Sequence, residues 1–148
     1  MNVAEICTRE VLMITAEQPL IDAARLMQRR QVGALVVIEE RDHSVRPVGM
    51  LTDRDIVCGQ FAHRADVHCL TVAEVMAAPA ATVTEDQSLE DAIAVLRARA
   101  VRRAPVVGST GELVGIVTMD DLLPALAREL NVLGQLIGSR ARRERAAP

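Results

Sequence analysis

The sequence predicts an α+β fold built from two copies of one unit, and two observations carry that prediction. Residues Asn2–Ile38 reappear at Thr71–Val107 at a constant offset of 69, and Val48–Asp55 reappears as Val114–Asp121. Within each copy, a stretch of helical period leads into short runs of Val, Ile and Leu bounded by Gly and charged residues, the pattern of buried strands. A tandem unit of this size has an apolar face that its twin covers, so fold and ligand sites are properties of the pair.

Each copy opens on a short helical start, Val3–Ile6 or Val72–Val75, followed by an irregular stretch and a Thr-containing extended segment. A helix comes next. In copy two Ser88 can cap it, with Asp91 three residues on as a capping-box partner. Copy one has Pro19 at the matching place, where a missing amide hydrogen does no harm. Leu20, Ala23, Ala24 and Met27, and Leu89, Ala92, Ile93 and Leu96, follow i, i+3, i+4, i+7 spacing and give each helix one buried face. Strands at Leu35–Ile38 and Pro105–Val107 precede turn-rich loops at Glu39–Pro47 and Gly108–Glu112, the first the longer, which drops the offset between the copies from 69 to 66. A second strand then ends at Thr52 or Thr118, and a final helix begins near Asp53 or Asp120, whose carboxylates suit the positive end of the helix dipole. The expected organisation is copy one at 2–62, a linker at 63–70, copy two at 71–131, and a helical extension with an Arg-rich tail at 132–148.

Composition narrows the function. Half of the 148 residues are hydrophobic, yet Phe61 is the only aromatic, so the core is aliphatic and no base-stacking platform exists for single-stranded nucleic acid. A net charge of −3 also disfavours a general phosphate-backbone binder. All 17 basic residues are arginine, each a planar fork suited to phosphate. No window approaches the ~20 apolar residues of a membrane span, and no signal-peptide pattern opens the chain. Three widely spaced cysteines, Cys7, Cys58 and Cys69, fit reduced thiols, and the expected compartment is the cytoplasm. Beyond Asp121, Leu123, Leu126, Leu130, Leu133 and Ile137 recur at alternating spacings of three and four, which reads either as a helix docked on its own domain or as a self-association face.

Gly49-Met50-Leu51-Thr52-Asp53-Arg54-Asp55 and Gly115-Ile116-Val117-Thr118-Met119-Asp120-Asp121 resemble the glycine-hydrophobic-x-Thr-x-x-Asp signature of cystathionine-beta-synthase (CBS) domains. Val32–Val37 and Val101–Val107 resemble the segment leading that family's first core strand, and the similarity spans about residues 2–131. The resemblance implies tandem β-α-β-β-α units packed as a pseudo-twofold pair, commonly paired again as a homodimer. It further implies a non-catalytic regulator that binds AMP, ADP, ATP or a related adenosyl ligand in clefts between the copies and signals occupancy to a separate partner. No dedicated cofactor or metal is expected.

The chemistry of the motif agrees. An ionised Asp early in a helix offers acceptor oxygens to vicinal ribose hydroxyls, a Thr hydroxyl can donate beside it, and the preceding Gly allows close backbone approach. The resemblance implies that in the cleft expected to bind better Asp121, Thr118 and Asp120 stand with Arg102 and Arg103 as phosphate contacts, and that positions matching Ala23, Val32 and Gly33 of the other copy supply an apolar wall. The weaker cleft has Asp55, Thr52 and Arg54. Each Asp could instead be only a helix cap. Competing functions are an adaptor dimer with vestigial clefts and a redox- or metal-responsive protein using Cys58, His63, Asp66, His68 and Cys69, whose spacing matches no paired-cysteine zinc pattern.

Overall fold

A computed structural model describes residues 1–145, with the side chains of 139–144 left out, so the expected basic tail at Arg140–Arg143 lies outside the described side chains. A single 3-10 turn at Val3–Glu5 leads to β1 (Met13–Thr15), α1 (Leu20–Arg30), β2 (Ala34–Arg41), β3 (Ser44–Thr52) and α2 (Asp53–His63). The second copy follows as α3 (Val72–Val75), β4 (Val83–Thr84), α4 (Leu89–Ala98), β5 (Arg103–Val107), β6 (Leu113–Thr118) and α5 (Met119–Arg145). Each copy forms a three-stranded sheet in which the first strand runs parallel to the second and the second antiparallel to the third.

Strand alternation gives each sheet two buried faces. Leu35, Val37 and Leu51 point into one core with Leu20, Ala23 and Met27 of α1. Ala104, Val106 and Val117 point into the other with Leu89, Ala92 and Leu96 of α4. The opposite faces meet each other. Val36, Ile38, Pro105 and Val107 are buried without belonging to either helix-covered core, and β3 lies against both β5 and β6. Two open sheets are thereby stacked with a helix layer outside each.

The opening segments are exchanged. Val3, fully buried, belongs to the core of copy two, and its amide donates to Gln87 O at 2.9 Å. Leu70 and Val72 belong to the core of copy one, where the Val72 amide donates to Gln18 O at 3.0 Å and Leu20 N donates to Leu70 O at 2.8 Å. Farther along, Thr8 exchanges both backbone hydrogen bonds with Ile116 of β6, and Ala77 does the same with Met50 of β3. A tandem duplication shows that two segments are alike and carries no information about which core each one fills.

Three local features differ from expectation. Glu39–Pro47 is not an irregular loop: β2 and β3 continue to Arg41 and Ser44, joined by Asp42 and His43 with φ of 51° and 60°. Two consecutive left-handed residues are what a tight hairpin needs to match strand twist, and the exposed charges of Glu39–Arg41 disguise the strand because they extend past the core. The lengthened hairpin carries Arg46, whose guanidinium lies over Gly111 (φ 84°) of the other copy, 3.0 Å from where a Cβ would stand. Ser88 caps α4 by accepting from the Asp91 amide at 3.1 Å, but the Asp91 carboxylate accepts from the Ser88 hydroxyl at 2.8 Å and not from the Ser88 amide. Finally, α5 is one helix through residues 131 and 132, and its distal half leaves the body of the protein, with Leu130, Leu133 and Ile137 exposed.

The exchange makes a prediction. Val3→Ala removes buried methyls from the core of the other copy, so denaturant unfolding should show a loss of about 1–2 kcal/mol, inside the usual 0.5–3 kcal/mol of a core truncation. Hydrogen exchange should rise in α4, β5 and β6 before it rises in α1 and β2; the reverse order would contradict the exchanged core.

Candidate functional site

Both motifs occupy the same place, the junction where a strand hands over to a helix. Thr52 is extended at φ −109°, ψ 161° and is the residue before α2. Its hydroxyl accepts from the Asp55 amide at 3.1 Å while its own amide donates to Asp55 Oδ2 at 2.8 Å, a reciprocal capping box. At the second junction, the Thr118 amide and hydroxyl both donate to Asp121 Oδ2, each at 2.8 Å. Capping is thus a real duty of each carboxylate. It uses one oxygen: no hydrogen bond among the described residues engages Oδ1 of Asp55 or Asp121. The two junctions also differ in direction, since the Thr52 hydroxyl accepts from the Asp55 amide whereas that of Thr118 donates to Asp121 Oδ2.

Four site residues, Thr52, Asp55, Thr118 and Asp121, are half-buried at these junctions, while Arg54 and Asp120 point to solvent. Gly33 gives its carbonyl to the Asp53 amide at 3.0 Å, and the Asp53 carboxylate lies 3.2 Å from where a Gly33 Cβ would stand, so the backbone approach here is tight. Val32 packs against the core of copy one. Ala23 does not line a cleft. It is fully buried in that core on the inner face of α1 between Leu20 and Met27, because helical spacing turns it to the sheet.

The arginines sort differently from expectation. Arg102 is exposed and its carbonyl accepts from Met119 N at 2.9 Å. Arg103 is the register partner of Thr118, and its side chain lines a cavity of about 220 Å³. The remaining wall of that cavity is Arg99, Val101, the exchanged segment 77–81, and Met50, which precedes Thr52 by two residues on the same strand face. None of Thr52, Asp55, Thr118 and Asp121 lines it, and Met50 is the motif residue that does. Residues of copy two therefore face the motif strand of copy one, as the exchange of opening segments requires. Near β6 the corresponding opening segment brings Arg9, which donates to Val114 O and pairs with Glu85, both at 3.4 Å. Arg99 and Arg103 make no ion pair among the described residues, so positive charge is available beside Met50 and largely used beside Ile116. Arg99 and Met50 escaped the sequence reading; the twofold relation between copies was the signal that could have found them.

The cysteines and histidines do not converge. Among the described residues no three metal-binding side chains lie together. His63 Nε2 lies 3.0 Å from Glu74 O. His68 engages Asp66, and its backbone amide, followed by its ring, holds that carboxyl below the usual range. Burial pushes the Cys7 thiol above its ordinary value, while Cys58 and Cys69 are exposed. Among the described residues no helix is long and apolar enough to cross a membrane.

Two stacked sheets, a helix layer outside each, and a Thr-x-x-Asp cap at twofold-related strand ends define a paired-repeat binding module. The CBS domain model matches residues 3–58 and 72–128, and the chain belongs to the CBS domain family. It is 30% identical to a Methanopyrus kandleri protein over 82% of this chain and 61% of that one, so the chain spans under two thirds of that relative. It is 35% identical to hypoxic response protein 1 of Mycobacterium tuberculosis over 82% of this chain and 78% of the relative. A crystal structure of Hypoxic Response Protein I with two coordinated zinc ions superposes at a TM-score of 0.71, with 32% identity over 82% of this chain and 96% of that one. A Pyrobaculum aerophilum CBS domain protein complexed with AMP superposes at 0.75, with 25% identity over 89% of this chain and 99% of that one.

Two outcomes follow from the geometry. Asp55→Ala and Asp121→Ala each remove a helix cap, so each should lower unfolding stability by about 1 kcal/mol, in the ~0.5–2 kcal/mol range of lost caps, with no ligand present. Alkylation followed by mass spectrometry near pH 8 should modify Cys58 and Cys69 before Cys7, since a raised pKa leaves less thiolate at that pH; Cys7 reacting first would contradict its placement.

Proposed function

We propose that this chain is a non-catalytic regulatory module that binds an adenine nucleotide, AMP, ADP or ATP, or a related adenosyl ligand between its two copies, and that it passes occupancy to a separate protein. The observation that carries this reading is the cavity where Arg99 and Arg103 of copy two, free of acidic partners among the described residues, face Met50 of copy one, two residues before the Thr52–Asp55 cap on the same strand. Its charge suits phosphate, the unused Asp55 Oδ1 and the Thr52 proton suit ribose hydroxyls, and Val101 with the Ala-rich 77–81 segment suits a base. These features support assigning the better phosphate site to the first cleft, with Asp121 and Thr118 serving a second cleft for a less charged adenosyl group. At about 220 Å³ the cavity is smaller than the ~300–1,000 Å³ of whole-ligand pockets, so part of the nucleotide lies over its open mouth. The AMP held by the Pyrobaculum relative supports the ligand class.

Regulation follows from the exchange. A ligand spanning β3 and the Arg99–Arg103 segment touches both copies at once, so it shifts their relative arrangement to the extent that it binds one arrangement more tightly. Three free thiols suit a reducing compartment, which supports a cytoplasmic location for the module.

Calorimetric titration of nucleotide-stripped protein with AMP, ATP, S-adenosylmethionine and adenosine tests the reading. Arg103→Ala should weaken AMP roughly 10- to 100-fold, the ~1.5–3 kcal/mol of a hydrogen bond to a charged group, and adenosine far less. Equal losses for both would contradict a phosphate role for Arg103. Loss of AMP binding in Asp121→Ala but not in Asp55→Ala would move the phosphate site to the second cleft, and silence across the panel would leave the adaptor reading.

A further inference from the structure

The sheet of copy one ends on an open edge. In the order β1-β2-β3, β1 is paired on one side only. Val36 N donates to Leu12 O at 3.0 Å, and this parallel register turns the amide and carbonyl of Met13 away from β2. The Thr15 amide faces the same way but is taken by Gln18 Oε1 at 3.1 Å, and Thr15 O accepts from the Gln18 amide at 3.3 Å. Met13, 43% exposed, is therefore the residue of β1 that presents a backbone donor and acceptor side by side at the edge.

A groove of about 280 Å³ lies beside that edge, between β1 and α1. Ile14 and Leu26 supply its apolar part, and both pack into the core of copy one. Its helical wall is the stripe Asp22, Arg25, Leu26 and Arg29, whose i, i+3, i+4, i+7 spacing sets it next to the buried stripe of Leu20, Ala23 and Met27. Arg25 meets Asp22 only at 3.9 Å, and Arg29 makes no ion pair among the described residues. Two guanidiniums thus stand over the groove against one carboxylate.

Copy two has the same scaffold without the charge. At the offset of 69, Val83, Gln87, Asp91 and Val95 stand for Ile14, Gln18, Asp22 and Leu26, and Gln87 Oε1 holds the Thr84 amide at 2.9 Å as Gln18 holds that of Thr15. Arg25 and Arg29 are replaced there by Ala94 and Ala98, both exposed. The twin edge forms with alanine at both places, so neither arginine is required to build such an edge.

The chemistry of the groove selects an extended acidic peptide. A donor and an acceptor from one edge residue are what the backbone of an added strand pairs with. A fully ionised phosphate would meet the arginines and leave the Met13 carbonyl without a donor, and a nucleic acid would carry a row of phosphates past Asp22 with two arginines to hold it. Spacing refines the match. As the crossover between two parallel strands, α1 runs back along them, and Arg25 and Arg29 are separated by a rise of about 6 Å, close to the roughly 6.6 Å between alternate residues of an extended chain. Glutamates at alternate positions reach both guanidiniums while their methylenes lie over Ile14 and Leu26.

We propose that the β1–α1 edge of copy one docks an extended segment of a partner protein that carries glutamates at alternate positions. The groove gives the separate protein of the proposed function a place to attach, and it is tested on ligand-free protein, so it stands or falls apart from the clefts.

The full chain, isotope-labelled and stripped of nucleotide, is titrated with the capped peptide Thr-Val-Glu-Thr-Glu-Val-Thr and followed by amide NMR. Signals of Met13, Arg25 and Arg29 should shift saturably with one peptide per chain. The isomer Thr-Val-Glu-Glu-Thr-Val-Thr and the glutamine version of the first peptide should bind about tenfold more weakly. Arg25→Ala and Arg29→Ala should each weaken binding about threefold, the scale of an exposed ion pair, and about tenfold together. The double variant gives this edge the alanines that copy two already carries, and thermal melting verifies its fold. Conversely, Ala94→Arg with Ala98→Arg should raise the stoichiometry to two. The proposal is overturned by the absence of a saturable shift at Met13, by equal binding of the glutamine peptide, by an unaffected double alanine variant, or by a stoichiometry that stays at one in the double arginine variant. Inorganic phosphate or a single-stranded oligonucleotide shifting the same signals at equal concentration would overturn it as well, leaving a general anion site.

Discussion

The structure depends on one constraint, that neither copy closes its own core. Val3 fills the core over which α4 lies, and Leu70 with Val72 fills the core over which α1 lies. The exchange is fixed at several points by backbone hydrogen bonds, Val3 to Gln87, Val72 to Gln18, Thr8 with Ile116 and Ala77 with Met50. These bonds satisfy groups that would otherwise be buried unpaired, so the crossing cannot be undone without losing both apolar burial and backbone pairing. The sheet-to-sheet contact through Val36, Ile38, Pro105 and Val107 is then held by covalent connection as well as by packing.

The same constraint places the clefts. Because segment 77–81 is laid along β3, copy two delivers Arg99, Val101 and Arg103 to the motif of copy one. Stability and recognition meet in the caps themselves. Asp55 and Asp121 each use one oxygen to start a helix and keep the other unengaged among the described residues, so in the proposed reading the carboxylate offered to a ligand is held in place by the bond that stabilises the fold. A loss of affinity in such a variant therefore has to be compared with its loss of stability before it is assigned to ligand contact.

Much of the fold could be read from residue order alone. The helical spacing at Leu20–Met27 and Leu89–Leu96, the strand ends at Thr52 and Thr118 and the caps after them are local patterns, and each forms where its pattern stands. What could not be read is pairing over distance. The duplication marks Arg102 and Arg103 as special to copy two but is silent on which motif they face, and the answer comes from the exchanged segments. Ala23 has the size and character of a cleft wall, yet its helical phase commits it to the core. The hairpin at Asp42–His43 was hidden because its strands run beyond the buried layer, where apolar alternation no longer marks them.

The exchange also sets the grain at which such a chain can change. A single copy cut free would lack the strip that seals its interior, and a third copy added in tandem would find no open partner for its own opening strip. Gain or loss of units is therefore viable only in twos. Drift between the halves is free in contrast, as long as each opening strip still fits its neighbour. The lengthened hairpin that lays Arg46 over Gly111 and the arginines kept on one side show that freedom used: a once-symmetric pair has two unequal halves.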